Sequence, residues 1–170
     1  MDGLSHVLVG LSIAAASPEG LTLRSGIVCG VLALAPDFFL VPLALVLWRR
    51  YEQTLWIPQA SDWAGARPRY PCLSAWSWNA PYSILGVVVV CGGVEASLGW
   101  PAALAYFSHV AIDYPTHRGE SALRPFFPLS SVEVQGCSDA WRWPLRKMVI
   151  AWCALAIILV AAITLRAGSS

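Results

Sequence analysis

Apolar residues run along this chain in six stretches that short polar or proline-containing breaks separate. The stretches cover residues 4–16, 21–35, 37–48, 82–94, 98–112 and 148–165. A strand rarely needs more than about eight residues, whereas helices begin at about ten to twelve, so each stretch favours a helix. We therefore predict an all-α chain in which about five or six short helices pack as a bundle.

The last apolar stretch carries the strongest membrane signal. Residues 148–165 contain no charged side chain and lie between Lys147 and Arg166. A helix needs about 20 apolar residues to cross the hydrocarbon core, and basic residues anchor its ends. We predict a transmembrane helix at about 146–166.

Composition extends this conclusion to the whole chain. Its residues are 57% hydrophobic and 12% charged, whereas a soluble domain is about 25% charged. The sequence therefore predicts a polytopic membrane protein with a single membrane-embedded helical domain over residues 1–170. The net charge of +1, with dispersed arginines, argues against nucleic-acid binding.

Residues 51–78 interrupt the apolar pattern with charges, prolines and tryptophans. The tryptophans of this segment are Trp56, Trp63, Trp76 and Trp78. Tryptophan concentrates at the level of the lipid headgroups. We predict a Trp-rich interfacial loop, which either covers a site or, as we favour, forms an aromatic belt.

The candidate chemistry is densest around residue 113. Two of the three histidines in the chain, His109 and His117, lie there with Asp113 between them. On a helix, His109 and Asp113 share one face, and Pro115 is expected to end that helix so that His117 turns back. Imidazole and carboxylate groups together suit a transition-metal ion. The alternative is a hydrogen-bonded core histidine beside an unrelated polar residue.

His6 and Asp37 are two further polar groups within apolar stretches. Ionisable residues at such positions are costly and usually face a bundle interior, although Asp37 could instead cap a helix. If the helix ends converge at one membrane face, the predicted metal ligands are His6, Asp37, His109, Asp113 and His117. This donor set favours zinc over manganese or iron, and Asp37 or Asp113 would act as the catalytic general base.

Several short motifs follow one another in a recognisable order. They are Ser5-His6, Ala35-Pro36-Asp37, Trp78-Asn79-Ala80-Pro81-Tyr82-Ser83, His109 to His117, and Phe127-Pro128-Leu129-Ser130. In this order they resemble a family of small membrane-bound metal-dependent hydrolases, which is similar to the LexA-regulated inner-membrane hydrolases and was long described as a domain of unknown function. The resemblance covers nearly the whole chain and implies the bacterial inner membrane.

One departure from that family matters. Where the family has His-Ser, this sequence has Tyr82-Ser83, and a phenol is a poor replacement for imidazole in a zinc site. Asn79 and Ser83 are expected to orient substrate or to hydrogen-bond the ligands.

Two functions remain open at this point. The first is a metal-dependent hydrolase in which metal-activated water attacks an ester or phosphoester bond of a lipidic substrate. The alternative is a non-catalytic accessory subunit with a degenerate metal site, for which Tyr82 and the many aromatic residues argue. Expected partners are membrane lipid and either another membrane protein or a second copy of the chain. Transport is less favoured, because the sequence shows few spans and no paired broken helices.

Overall fold

The computed structural model describes residues 2–50 and 60–168. Over these ranges the chain forms eight α-helices and no extended strand. They are α1 (Gly3–Ala16), α2 (Leu23–Phe38), α3 (Val41–Arg50), α4 (Ala60–Arg69), α5 (Pro71–Asn79), α6 (Ile84–Leu98), α7 (Trp100–Thr116) and α8 (Leu145–Ala167). The all-α prediction is confirmed.

Two of these helices lie where we predicted a loop. Residues 60–79 form α4 and α5, so the loop prediction is wrong for most of 51–78, and the count exceeds five or six. Pro71 begins α5, where a missing backbone N–H breaks no helical hydrogen bond. The first part of the predicted loop, residues 51–59 with Trp56, lies outside the described residues.

The second difference concerns prolines inside helices. Helix α2 continues through Pro36 and Asp37 to Phe38, although the sequence predicted a break before Asp37. Helix α7 likewise includes Pro115 and ends one residue later. In both helices the proline removes one hydrogen bond to the preceding turn, and the helix ends one or two residues later.

Broken helices are present, contrary to the sequence-based expectation. Helices α2 and α3 meet at a bend of 53°, and α5 and α6 meet at another bend of 53°. Each bent pair is apolar enough and long enough to form one broken span. The two breaks, at residues 39–40 and 80–83, both lie next to predicted site residues.

Helix α8 is long and apolar enough by itself to cross a membrane. It covers the predicted segment 146–166 with one further residue at each end. Its 23 residues extend over about 35 Å at roughly 1.5 Å per residue. That length exceeds the roughly 30 Å of a hydrocarbon core.

Helix α8 runs parallel to α1 and is attached to it near both ends. The Trp152 indole N–H donates to Asp2 Oδ1 over 2.8 Å, and Arg166 donates to the carbonyl oxygens of Ser17 and Pro18. On its other side α1 packs against α2 and α7. The three helices α1, α2 and α7 therefore form the centre of the bundle, with α6 against α7.

Candidate metal centre

The site lies where three helix ends meet. His6 belongs to the first turns of α1, whereas Asp37 and Asp113 lie near the C-terminal ends of α2 and α7. Asp2 fixes the beginning of α1, because its carboxylate accepts hydrogen bonds from the backbone N–H of Ser5 at 3.1 Å and from its hydroxyl at 2.8 Å. The predicted convergence of helix ends is thus observed.

His6, His109 and Asp113 form the centre of the site. One ligand atom from each lies within 4.8 Å of the other two, and all three side chains are buried. The carboxylate offers one oxygen to each imidazole: Asp113 Oδ1 is 3.3 Å from His6 Nε2, and Asp113 Oδ2 is 3.0 Å from His109 Nε2. Ligand atoms around a tetrahedral zinc ion are about 3.4 Å apart, given metal–nitrogen bonds of roughly 2.0–2.1 Å. The spacing fits a metal ion.

The tautomer of His109 follows from its other ring nitrogen. His109 Nδ1 lies 2.6 Å from the carbonyl oxygen of Ala33, so Nδ1 carries a proton and donates it. This is the arrangement that orients metal-ligating histidines. The lone pair of Nε2 then faces the carboxylate of Asp113 at 3.0 Å. Two acceptors at that distance repel each other unless a proton or a metal ion lies between them.

His6 lies directly against His109. Its ring stacks on that of His109 with centroids 3.6 Å apart and planes 14° from parallel. Its side chain is 1% exposed and its Nε2 lies 3.3 Å from Asp113 Oδ1, whereas its buried Nδ1 has no hydrogen-bond partner within the described part of the chain. Leaving a buried polar group unpaired costs about 1–3 kcal/mol. A proton or a metal ion between Nε2 and Asp113 would account for the first contact, while the cost at Nδ1 remains.

Asp37 and His117 lie beside this group. Asp37 Oδ1 is 3.6 Å from His109 Nε2, and its side chain is 40% exposed, whereas those of His109 and Asp113 are almost fully buried. His117 Nδ1 donates to the backbone carbonyl of Asp113 at 2.9 Å and lies 3.8 Å from Asp113 Oδ1. Burial lowers the pKa of His117, although the charge of Asp113 acts in the opposite direction. All five predicted ligands are therefore in one region, with three at its centre.

The Tyr82 hydroxyl reaches the same centre. It lies 2.9 Å from His109 Nε2, 3.1 Å from Asp113 Oδ2 and 3.4 Å from Asp37 Oδ1. The backbone around it is held in turn, because the Tyr114 hydroxyl donates to the carbonyl oxygen of Tyr82 at 2.8 Å. The phenol thus lies where an additional ligand of the site would be expected.

The two remaining predicted residues have structural contacts. Ser83 caps α6: its hydroxyl accepts from the backbone N–H of Gly86 at 3.0 Å and donates to the carbonyl of Ala80 at 2.9 Å. The Asn79 amide donates to the carbonyl of Ala75 at 3.0 Å, while its buried Oδ1 has no hydrogen-bond partner among the described residues. Ser83 therefore positions Tyr82 by fixing the beginning of α6.

Sequence reasoning missed the groups that support the site. The carbonyl of Ala33 carries no side-chain signal, so only the packing of α2 against α7 reveals it as a partner of His109. Trp78, which we assigned to an interfacial loop, lies against His117 with ring centroids 6.1 Å apart. The Arg67 guanidinium lies over the ring of Trp78, 5.2 Å from its centroid.

Comparisons with known proteins leave the site to be judged on its geometry. No family model matches the chain, and neither a curated protein nor a solved structure matches it.

Proposed function

We propose that this chain is a polytopic membrane protein that binds a divalent metal ion and hydrolyses an ester or phosphoester bond of a lipid. His6, His109 and Asp113 would hold the ion, with Asp37 and His117 beside it. The mixed nitrogen and oxygen donors suit zinc first, and manganese or iron next.

One observation carries the metal-binding part of the proposal. His109 Nε2 faces Asp113 at 3.0 Å while Nδ1 donates to the carbonyl of Ala33. Together with His6 Nε2, which lies 3.3 Å from Asp113 Oδ1, this is a ligand set already gathered around one carboxylate. Folding has then already ordered these side chains, so metal binding does not have to supply the free energy of ordering them.

The residues around the centre support hydrolysis in separate ways. A bound divalent ion would supply Lewis-acid chemistry, polarising the scissile bond and making water more acidic. Asp37 is the site carboxylate with substantial exposure, so it is placed to accept a proton from an incoming water molecule. The Tyr82 hydroxyl has one proton to donate to one of the three acceptors around it, and it would help to orient that group. Buried walls exclude bulk water and strengthen these electrostatic interactions.

The packing of α1 supports several membrane spans. Helix α1 has 14 residues, too few to span alone, but it lies alongside α8 between the contacts of Asp2 and Ser17. A helix held along a transmembrane helix is drawn into the same hydrocarbon layer. Helix α6 exposes Val88 and Val89, each 64% accessible, which suits contact with lipid.

The motif order supports kinship with the membrane-bound metal-dependent hydrolases and a bacterial inner-membrane location. The residues of the His109–His117 motif and of the two N-terminal motifs are the ones that meet in space. The Tyr82 substitution in the third motif also falls at the site.

Metal content of the purified protein tests the proposal. We expect about one zinc ion per chain in mild detergent, measured by inductively coupled plasma mass spectrometry. Asp113→Asn should lose it, because removing one carboxylate ligand weakens a site steeply. Glu95→Gln, an equally small change at an exposed position on α6, should keep it. The metal site would be refuted if the purified parent protein contained no zinc and, while remaining monodisperse, bound none when zinc was added.

One observation favours the non-catalytic alternative. The Tyr82 hydroxyl lies within 3.4 Å of three site acceptors, so with a protonated His109 the cluster could be a closed hydrogen-bond network. In that case Tyr82→Phe would lower the melting temperature of a metal-free protein. In the hydrolase, Tyr82→Phe would change activity toward phospho- and carboxylic-ester lipids while bound zinc remains.

A further inference from the structure

An apolar groove lies next to the candidate metal centre. Its walls are Phe38, Phe39, Pro42, Trp76, Ser77 and Ala80. Its volume of about 470 Å³ falls within the roughly 300–1,000 Å³ of ligand-binding pockets.

The two helix breaks that hold the site also build this groove. One wall follows Asp37 directly in the chain, at the bend between α2 and α3. The other wall ends at Ala80, two residues before Tyr82, at the bend between α5 and α6. The groove lining therefore begins with the residue that follows Asp37, the partly exposed carboxylate of the site, and ends two residues before Tyr82.

The groove has a fixed shape. Trp76 packs edge-on against Phe127, with centroids 5.1 Å apart and planes 86° from parallel. This T-shaped contact is a favoured arrangement of aromatic rings and holds one wall in place. Phe38 and Phe39 on the other wall are about half-exposed.

We propose that this groove binds one acyl chain of a membrane lipid, with the polar part of that lipid at Asp37. Both walls belong to bent helix pairs that qualify as broken spans, so hydrocarbon is the medium around them. A ligand that fills an apolar groove and reaches a metal-binding centre must be amphipathic, with one long apolar chain. The assignment of the polar part to substrate rests on the proposed function, whereas binding of the acyl chain does not.

Photo-crosslinking tests the groove directly. The full chain is placed in nanodiscs of phosphatidylethanolamine and phosphatidylglycerol containing a phosphatidylcholine with a diazirine in its acyl chain. After irradiation and digestion, mass spectrometry compares adducts at Phe38, Phe39 and Trp76 with those at Val88 and Ile158, which are exposed residues on α6 and α8. Residues that merely face the bilayer set the background.

We expect several-fold more adducts in the groove than at Val88 and Ile158. Phe39→Ala should abolish the excess by removing one wall, whereas Phe107→Ala should preserve it; the two phenylalanines are 45% and 49% exposed. Equal adduct yield at groove and background positions in the parent protein would overturn the proposal, whatever happens to the variants. Zinc measured in the same samples reports separately on the metal site, so the two proposals fail independently.

Discussion

The Tyr82 hydroxyl lies 2.9 Å from His109 Nε2, although 27 residues separate the two in the chain. It is also within 3.1 Å of Asp113 Oδ2. Residue 82, where the family that the motifs resemble has histidine, thus contacts the atoms that would bind metal. The departure therefore alters the site itself, and its effect is measurable.

Tyr82→His should increase zinc affinity. The imidazole replaces a neutral phenol with a nitrogen ligand. Changing even the groups that hydrogen-bond metal ligands commonly alters affinity by about 10- to 100-fold, so a direct ligand should alter it at least as much. Competition with a fluorescent chelator would measure the change. Tyr114→Phe is the matched control, because the Tyr114 hydroxyl contacts the backbone of Tyr82 and not the metal centre. An affinity in Tyr82→His at or below that of the parent would contradict a ligand position at residue 82.

Gly10→Ala should move α1 away from α2 and weaken metal binding. A Cβ at Gly10 would lie 2.5 Å from the carbonyl oxygen of Cys29 and 2.9 Å from the Cβ of Ala33. Backbone cannot yield as a flexible side chain does, so α1 must shift and carry His6 with it. We expect both the zinc content per chain and the melting temperature to fall.

Gly30→Ala is the control for this helix contact. Gly30 lies in α2, next in the chain to Cys29, but a Cβ there would meet no atom within 4 Å. A helical Gly→Ala change without a clash stabilises by about 0.5–1 kcal/mol. If both variants behave alike, the close approach of α1 and α2 is not what positions His6.

Gly136→Ala should loosen the end of α7. Its backbone N–H donates to the carbonyl oxygen of His117 at 2.8 Å. An added Cβ would lie 2.6–2.7 Å from three carbonyl oxygens of the last turn, those of Tyr114, Pro115 and His117. We expect a lower melting temperature and faster amide exchange around residue 117. Gly92→Ala, where a Cβ has open space, should show neither effect.

Stability in acid should depend on the contact between Asp2 and Trp152. Burial acts to raise the pKa of Asp2, but hydrogen bonds from Ser5 and Trp152 outweigh it, and the pKa lies below the ordinary 3.8. A carboxyl whose pKa is lower in the folded state stabilises the fold above its unfolded pKa. That stabilisation is lost as pH falls through the folded value.

Trp152→Phe isolates this contribution. The variant keeps an aromatic ring but loses the 2.8 Å hydrogen bond to Asp2 Oδ1. Melting temperatures measured from pH 7 to pH 3 should show a difference between parent and variant that is constant near neutrality and shrinks below about pH 4. A difference that is independent of pH would mean that the ring packing, rather than the carboxylate, attaches α8 to α1.

Chelation should destabilise the folded protein if the centre holds zinc. Ligand that binds the native state alone contributes about 2.7 kcal/mol at 100 times its dissociation constant. Dialysis against a chelator should therefore lower the parent melting temperature by several degrees, and zinc should restore it. Asp113→Asn should respond to neither treatment.

The sequence by itself determined the helical class, the α8 span and the identity of the polar residues. Helices of this kind form their backbone hydrogen bonds locally, so an apolar run of sufficient length defines its own secondary structure. The i,i+4 spacing of His109 and Asp113 likewise places both on one face without any tertiary information. Asp37 and His6 were recognisable because charge is costly in an apolar stretch.

Only the tertiary structure decided which of these groups meet. It brought His6 against His109, placed the carbonyl of Ala33 at His109 Nδ1, and assigned Ser83 to a helix cap. Backbone carbonyls and small residues such as Gly10 have no individual signature in sequence, yet they set how closely two helices approach. The break predicted before Asp37 lies instead at residues 39–40 for a related reason: where a helix ends near a proline depends on which neighbouring groups satisfy its last carbonyls.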